Sequence, residues 1–155
     1  MREANSRAVW RNLTHLFPHP YTPEDAAEWI ARCRNQDPPL DLVIDLGGQL
    51  VGVCGIELGE GVRAHTGEVG YWLGEAHWNQ GIASAAVESF LEYIWETCDV
   101  ARLHASVFAW NPASARVLEK SGFRLEGTQR KAIFKDGEFI DEWIYSLLRS
   151  DVPIA

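Results

Sequence analysis

The sequence has no long apolar run. Segments such as Leu42-Val43-Ile44 fall far short of the roughly 20 residues that span a bilayer. The first 13 residues carry three arginines and lack the apolar centre of a signal peptide. No basic segment is present either, because the net charge of −8 is spread over both halves of the chain, so binding to nucleic-acid phosphates has no support. These absences predict a cytoplasmic protein without membrane or nucleic-acid partners.

Metal and disulfide signals are equally sparse. The three cysteines are far apart and form no CxxC pair, and the five histidines form no HExxH motif, so we expect neither a disulfide framework nor a metal site. The phosphate-binding motifs GxxxxGK[ST] and GxGxxG are also absent, which argues against a nucleoside triphosphatase or a dinucleotide enzyme.

What is present fits one folded unit. The 155 residues are 46% hydrophobic and 23% charged, as in ordinary globular domains, and they contain no repeat or low-complexity segment. A chain of this length buries roughly 68–70% of its unfolded surface. We therefore expect a single domain over residues 1–155.

Local patterns predict four helices and six strands. The helices fall within residues 4–16, after the N-cap Thr22, over residues 81–98, and from the cap Asn111 to Lys120. Alternation and turn glycines place strands at residues 40–46, 49–58, 67–74, 102–108, 123–134 and 138–148. Gly70 interrupts the third strand and marks a bulge or a close backbone approach. This order predicts an α/β (α+β) domain with one mixed sheet.

The most informative segment is YWLGEAHWNQGIAS at residues 71–84, which is typical of a strand, a short loop and the start of a helix. Gly81 and the small residues after it let the backbone approach a ligand closely, and the free N–H groups of a helix N-terminus attract an anion. A glycine before a helix is by itself more often a simple turn.

Two motifs together resemble the GNAT N-acetyltransferase superfamily. Gly81 and Ala83 match the last two anchors of its Q/R-x-x-G-x-G/A loop for acyl-CoA pyrophosphate, whereas Trp78 stands at the Gln/Arg anchor. The segment NPASARVLEKSGFRLEG at residues 111–127 resembles the signature of the branch with the ribosomal-protein alanine N-acetyltransferases. The family normally opens with a β-strand, which residues 1–12 do not offer, so we expect that first strand to be missing.

The resemblance implies acetyl-CoA as co-substrate, a third strand that splays from its neighbour, and attack by an amine in a ternary complex. Backbone groups around Trp72 and Leu73 would hold the pantetheine arm, and Asn111 and Ser114 would line its thiol end. The pyrophosphate would be held by Gln80, Gly81, Ile82, Ala83 and Ser84, and Trp78 and Asn79 before them are further candidates for cofactor binding.

Three residues are candidates for proton transfer. Glu68 is the leading base, because many family members carry a glutamate base on this strand. The alternative is that Glu68 is a solvent-facing carboxylate without a catalytic role. Ser114 is a candidate acid or water-holder, or else a hydrogen-bonding residue of the helix's first turn. Tyr145 is a weaker candidate or a core aromatic. Two other family positions, for a tyrosine and a glutamate, hold Leu118 and Ile133 here, and Glu57 and Asp141 are further weak candidates. Cys54 could form an acetyl-cysteine intermediate or is simply a buried strand cysteine.

The acceptor stays open at this point. It is a primary amine, either a protein N-terminus or a small molecule such as a polyamine, and Trp72, Trp78 and Trp110 are candidates for shaping its pocket. A non-catalytic acyl-CoA-binding protein and an interaction module that binds no CoA are the alternatives. A homodimer is also left open.

Overall fold

The protein is built on one mixed sheet of six strands. The computed structural model describes residues 2–152, and its strand order is β1-β2-β3-β4-β6-β5, with β3 and β4 parallel and every other neighbouring pair antiparallel. The elements in chain order are α1 (Arg7–Arg11), α2 (Pro23–Cys33), β1 (Asp41–Leu46), β2 (Gln49–Leu58), β3 (Thr66–Leu73), α3 (Ile82–Thr97), β4 (Arg102–Phe108), α4 (Pro112–Lys120), β5 (Arg124–Lys135) and β6 (Glu138–Leu148). The expected fold class is confirmed.

Within residues 2–152 no strand precedes β1, so the opening strand stays missing in the part of the chain that is described. The segment in its place forms the short helix α1, whose N-cap Ser6 accepts a hydrogen bond from the Val9 amide. None of the helices in residues 2–152 combines the length and apolar character needed to cross a bilayer.

Short local signals start and end the elements. Thr22 caps α2 in a reciprocal capping box with Asp25, and Pro23 occupies the first helical position. Asn111 caps α4 by accepting the Ser114 amide hydrogen. Two-residue turns join β1 to β2 and β5 to β6, and all their residues have the positive φ that such hairpin turns require: Gly47, Gly48, Asp136 and Gly137.

One core forms between the sheet and the helices α3 and α4. Val87, Leu91 and Ile94 of α3 recur at helical spacing in the sequence, which predicts an inward-facing stripe, and all three are buried, as is Phe90. From the sheet, alternate residues of β2, β3 and β4 join them, and Leu118 of α4 is fully buried. The opposite face of the sheet is more open.

Two finer expectations need correction. The β2–β3 register runs without a shift at Gly70, so no bulge lies there, and a Cβ at Gly70 would meet open space, so no protein backbone approaches it closely either. In α2 the helical spacing of Ala26, Trp29, Ile30 and Cys33 predicts an apolar face, but Ile30 is 43% exposed and this helix has no buried residue. A hydrophobic period shows which side of a helix faces inward and says nothing of how deeply the helix packs.

Candidate functional site

A gap opens between β3 and β4. Their parallel pairing runs through only three residue pairs, from Thr66–Arg102 to Glu68–His104, and does not extend to the second half of either strand. The splay that the resemblance implied is therefore present. Beyond Glu68, β3 continues to Leu73 while paired only with β2.

The hydrogen-bond phase of β3 directs its backbone into this gap. Antiparallel ladders alternate between bonded and non-bonded pairs. Bonds from the Gly74 amide to the Val51 carbonyl and from the Gly59 amide to the Thr66 carbonyl fix this alternation at both ends of the β2–β3 ladder. Trp72 therefore turns its backbone groups toward β2. Tyr71 and Leu73 turn theirs toward the gap.

The amino end of α3 lies just after β3 and is built for an anion. Gly81 enters the helix with a φ of +78°, and the preceding Asn79 also has a positive φ of 58°. No side chain caps this end and no acidic residue lies in its first turn, so the amides of Ile82, Ala83 and Ser84 and the positive end of the helix dipole face outward. A phosphate or pyrophosphate group fits this arrangement.

The loop before α3 is braced by its own side chains. The Trp78 indole N–H donates to the Leu73 carbonyl at 2.7 Å, and the Gln80 side-chain amide donates to the Ala76 carbonyl at 3.0 Å. Trp78, the residue that departs from the family's Gln/Arg anchor, thus ties the loop to the end of β3. The Leu73 carbonyl is occupied by this bond, which leaves the Leu73 amide and the backbone of Tyr71 for a ligand in the gap.

Glu68 stands where the β3–β4 pairing ends. Its Oε2 lies 3.7 Å from the His104 Nε2, and the Glu68 side chain is 50% exposed. His104 lowers the pKa of Glu68 more than burial raises it, with a smaller contribution from Ser106. Glu68 is therefore a carboxylate at neutral pH.

A second carboxyl group lies on the same face of the sheet. Glu142 pairs with Phe108 across β4 and β6, which places it on the side of His104 and Ser106. Burial, with a further contribution from the negative charge of Glu68, raises the pKa of Glu142. This face therefore concentrates negative charge, which suits a cationic acceptor.

Ser114 lies on the opposite face, in the first turn of α4. Its Oγ lies 2.8 Å from the hydroxyl of Tyr71, and that hydroxyl also donates to the Ser114 carbonyl at 3.0 Å. Asn111 Oδ1 accepts the Ser114 amide hydrogen at 3.2 Å. Glu68 and Tyr71 are three residues apart on one strand, so they point to opposite faces, and the gap connects those faces.

Tyr145 lies apart from Glu68. Its hydroxyl donates to Glu119 Oε1 at 3.1 Å, its ring is buried in the core beneath α4, and burial followed by Glu119 raises its pKa. Cys54 is also buried, and burial raises the pKa of its thiol to about 12, so it is a poor nucleophile at neutral pH.

An aromatic wall borders the open face beside Trp72. Phe17 contacts Trp72 edge-on at 5.5 Å between ring centroids and stacks with Tyr21 at 5.1 Å. On the same face, the Trp110 ring contacts Phe108 edge-on at 6.3 Å between centroids, and the Arg11 guanidinium lies 3.8 Å from the Trp110 ring centroid. Trp72 and Trp110 therefore lie where side chains can shape an acceptor pocket, whereas Trp78 braces the loop.

Sequence reasoning missed Tyr71, His104 and Glu142. Tyr71 belongs to the alternating series Val69, Tyr71 and Leu73, which predicts that it faces the core but not that its hydroxyl reaches a residue 43 positions away. His104 and Glu142 contribute only through strand register, which no local pattern reveals.

Comparison with known proteins supports the resemblance. A family model described as "Acetyltransferase (GNAT) domain" matches residues 2–124. The chain is 28% identical to the L-amino acid N-acetyltransferase AaaT of Escherichia coli, over 84% of this chain and 78% of that protein. It is 32% identical to the ribosomal-protein-serine acetyltransferase of Escherichia coli, over 63% of this chain and 54% of that protein.

A solved structure, Mycobacterium smegmatis RimJ in complex with CoA-disulfide, is similar with a TM-score of 0.74 and 26% identity, covering 85% of this chain and 65% of that chain. The chain spans only about half to three fifths of the length of several curated relatives that it matches, with shares of 61%, 46%, 48% and 51%.

Proposed function

Because the chain belongs to the GNAT acetyltransferase family, we propose that it transfers an acetyl group from acetyl-CoA to the free base of a primary amine. The observation that carries this proposal is the β3–β4 gap, which runs between the uncapped amino end of α3 and the Ser114 side of α4. A gap lined by backbone amides, with an anion site at one end, suits a long chain that ends in a pyrophosphate.

The residues fit acetyl-CoA in three parts. The amides of Ile82, Ala83 and Ser84 would hold the pyrophosphate, with Gly81 allowing its close approach. The Leu73 amide and the Tyr71 backbone would pair with the pantetheine arm, as a neighbouring strand would. Asn111 and Ser114 would lie at the thiol end. Acetyl-CoA brings a thioester, whose carbonyl carbon the amine attacks.

Proton transfer is assigned to the two faces of the gap. Glu68 would accept a proton from the substrate ammonium on the open face, directly or through water, with His104 keeping it ionised. Ser114, on the helix-covered face, would donate a hydrogen bond to the departing sulfur. As the carbon–nitrogen bond forms and the carbon–sulfur bond breaks, the nitrogen loses its second proton to water, and the departing sulfur takes up a proton from Ser114 or water. The two substrates need not share one face of the sheet.

The lower pKa of an α-ammonium favours an α-amine as acceptor, whichever base takes the proton. An α-ammonium has a pKa near about 8 and a lysine-like ammonium near about 10.4, so deprotonating the second costs about 3 kcal/mol more. A free amino acid or a protein N-terminus therefore fits better than a polyamine. Curated relatives named for an L-amino acid and for a ribosomal protein are consistent with this class.

The test combines binding with turnover. Acetyl-CoA should raise the melting temperature, and CoA thiol should appear when amino acids or N-terminal peptides are added, more slowly with spermidine. Glu68→Gln should lower kcat by about a hundredfold or more, with a small effect on the acetyl-CoA KM. Glu88→Gln, which changes an exposed glutamate of α3, is the matched control and should change neither value.

Other outcomes would point elsewhere. If acetyl-CoA binds but no amine causes thiol release, the proposed activity is contradicted. That result would favour a non-catalytic acyl-CoA-binding protein. A protein whose melting temperature does not respond to acetyl-CoA would fit an interaction module instead. The single domain over residues 1–155 and the cytoplasmic location stay predictions, and a homodimer stays open.

A further inference from the structure

The contact between Tyr71 and Ser114 crosses the gap. Tyr71 lies on β3 three residues beyond the last pair with β4, and its hydroxyl meets both the Oγ and the carbonyl oxygen of Ser114. Tyr71 is half-buried and lies opposite Cys54 of β2. An aliphatic residue would fill the same core-facing position, so packing alone does not account for a hydroxyl there.

Helix capping does not account for the Ser114 hydroxyl either. The Ser114 amide is satisfied by Asn111, so the cap of α4 needs nothing from the serine side chain. A serine in the first turn of a helix commonly bonds to the backbone of its own helix. Here its Oγ bonds to a side chain from another element instead.

The number of hydroxyl hydrogens limits how Tyr71 and Ser114 can bond to each other. Tyr71 has one hydroxyl hydrogen, and it lies within bonding distance of two oxygens of Ser114, at 3.0 Å and 2.8 Å. When it points to the Ser114 carbonyl, the serine must donate to Tyr71. When it points to Oγ, the serine hydrogen is free to turn toward a ligand in the gap. The Tyr71 hydroxyl can thus hold Ser114 both when the serine donates to Tyr71 and when it donates to a ligand.

We propose that Tyr71 is a positioning residue that holds the Ser114 hydroxyl at the edge of the β3–β4 gap and lets it donate to the sulfur atom of CoA. This inference rests on the proposed acetyl transfer. Tyr71 does not touch the reacting atoms and acts only through Ser114.

The environment of Tyr71 suits a positioning role. Burial raises the pKa of its phenol well above the ordinary value, and this outweighs the opposing hydrogen bond to Ser114. Tyr71 therefore keeps its proton throughout the reaction and contributes a hydrogen bond. The sulfur receives its proton from Ser114 or solvent, and Ser114 is restored by solvent.

The test is a double-mutant cycle between Tyr71→Phe and Ser114→Ala. Tyr71→Phe should lower kcat by about tenfold, which corresponds to one lost hydrogen bond, with little change in the acetyl-CoA KM. In a Ser114→Ala background the same change should lower kcat less than about twofold, because the group that Tyr71 positions is gone. Tyr93→Phe is the matched control, since the Tyr93 hydroxyl bonds to the Pro39 carbonyl at 3.1 Å, and it should leave kcat unchanged.

Each other outcome decides the question. An equal loss in both backgrounds would make Tyr71 a structural residue and overturn the inference, and so would full activity of Tyr71→Phe. If the wild-type protein binds CoA but transfers no acetyl group, the proposed function fails, and the same cycle is measured on the CoA dissociation constant. Coupling there supports the role of Tyr71, and additivity overturns it. A protein that binds no CoA overturns both proposals.

Discussion

At the scale of single residues, Gly81 has the most constrained task. Its φ of +78° is a conformation that L side chains rarely adopt, yet a Cβ built at this position meets nothing within 4 Å. Any penalty for a side chain is therefore one of backbone strain and not of crowding. That strain falls on the first turn of α3, whose amides would hold the pyrophosphate in the proposed function.

We expect Gly81→Ala to weaken acetyl-CoA binding by roughly fivefold to tenfold while costing about 1 kcal/mol of stability. The reason is that relief of the strain moves the first helical amides. Titration calorimetry with acetyl-CoA measures the first effect and urea unfolding the second. Gly127→Ala is the control, because a Cβ there also meets open space but the φ is ordinary. Unchanged binding by Gly81→Ala would separate this loop from the pyrophosphate.

A single-residue feature could be predicted when the residues that determine it are close together in the sequence. Gly81 as a turn into a helix and Asn111 as a cap follow from neighbouring residues, and the structure places both as expected. The Tyr71–Ser114 and Glu68–His104 contacts join residues far apart in the chain, and only the fold brings them together. Local sequence patterns therefore could not predict the partners of Glu68 and Ser114.

At the scale of elements, the start of α2 fixes the aromatic wall of the open face. Phe17 and Tyr21 lie in the segment that leads to Thr22, and the Tyr21 amide is further held by Asn5 Oδ1 at 3.1 Å. Because α2 has no buried residue, its capping box carries an unusual share of its local stability.

Thr22→Ala should loosen this entry and cost about 1 kcal/mol in helix stability. We expect the KM of the amine acceptor to rise severalfold, because the wall beside Trp72 loses its order, while the acetyl-CoA KM stays constant. Hydrogen exchange over residues 17–30 measures the loosening and steady-state kinetics the two KM values. Ser121→Ala, which removes a hydroxyl that donates to the Val117 carbonyl of α4, should not raise the acceptor KM. An increase in the acetyl-CoA KM alone would contradict this assignment.

Several elements could be predicted almost to the residue. The limits expected for β2, β4, β6 and α4 agree with the structure, since strand alternation and turn or cap residues mark both ends. The depth at which α2 packs and the length of the β3–β4 pairing could not be predicted, because both depend on how distant elements meet.

At the scale of the whole molecule, Glu126 joins the strands β4, β5 and β6 on the sheet face that also carries His104. Its Oε1 lies 2.7 Å from Nη1 of Arg102 on β4 and accepts from the Ser146 hydroxyl of β6 at 2.7 Å. Arg102, followed by Ser146, lowers the pKa of Glu126 to about 2. The folded protein therefore binds a proton at Glu126 far more weakly than the unfolded chain does.

This difference predicts how stability depends on pH. The contribution of Glu126 is fully present above the unfolded pKa of about 4.3 and is lost as the pH falls toward the folded value. Glu126→Gln should lower the free energy of unfolding by about 1 kcal/mol at pH 7, a modest value because the side chain is 43% exposed, and the deficit should shrink by pH 3. Urea unfolding at pH 7, 5 and 3 measures it, with Glu88→Gln as control. A deficit that grows toward acid would contradict the lowered pKa.

The phase of hydrogen bonding along β3 has a consequence for how such a chain can evolve. A binding surface made of main-chain amides survives many side-chain substitutions, which is compatible with relatives that share only 26–32% of their residues. One inserted or deleted residue within β2 or β3 would turn Tyr71 and Leu73 back toward β2 and leave the gap without its amides. The presence of these amides in the gap therefore depends on strand length and register more than on the identity of the side chains.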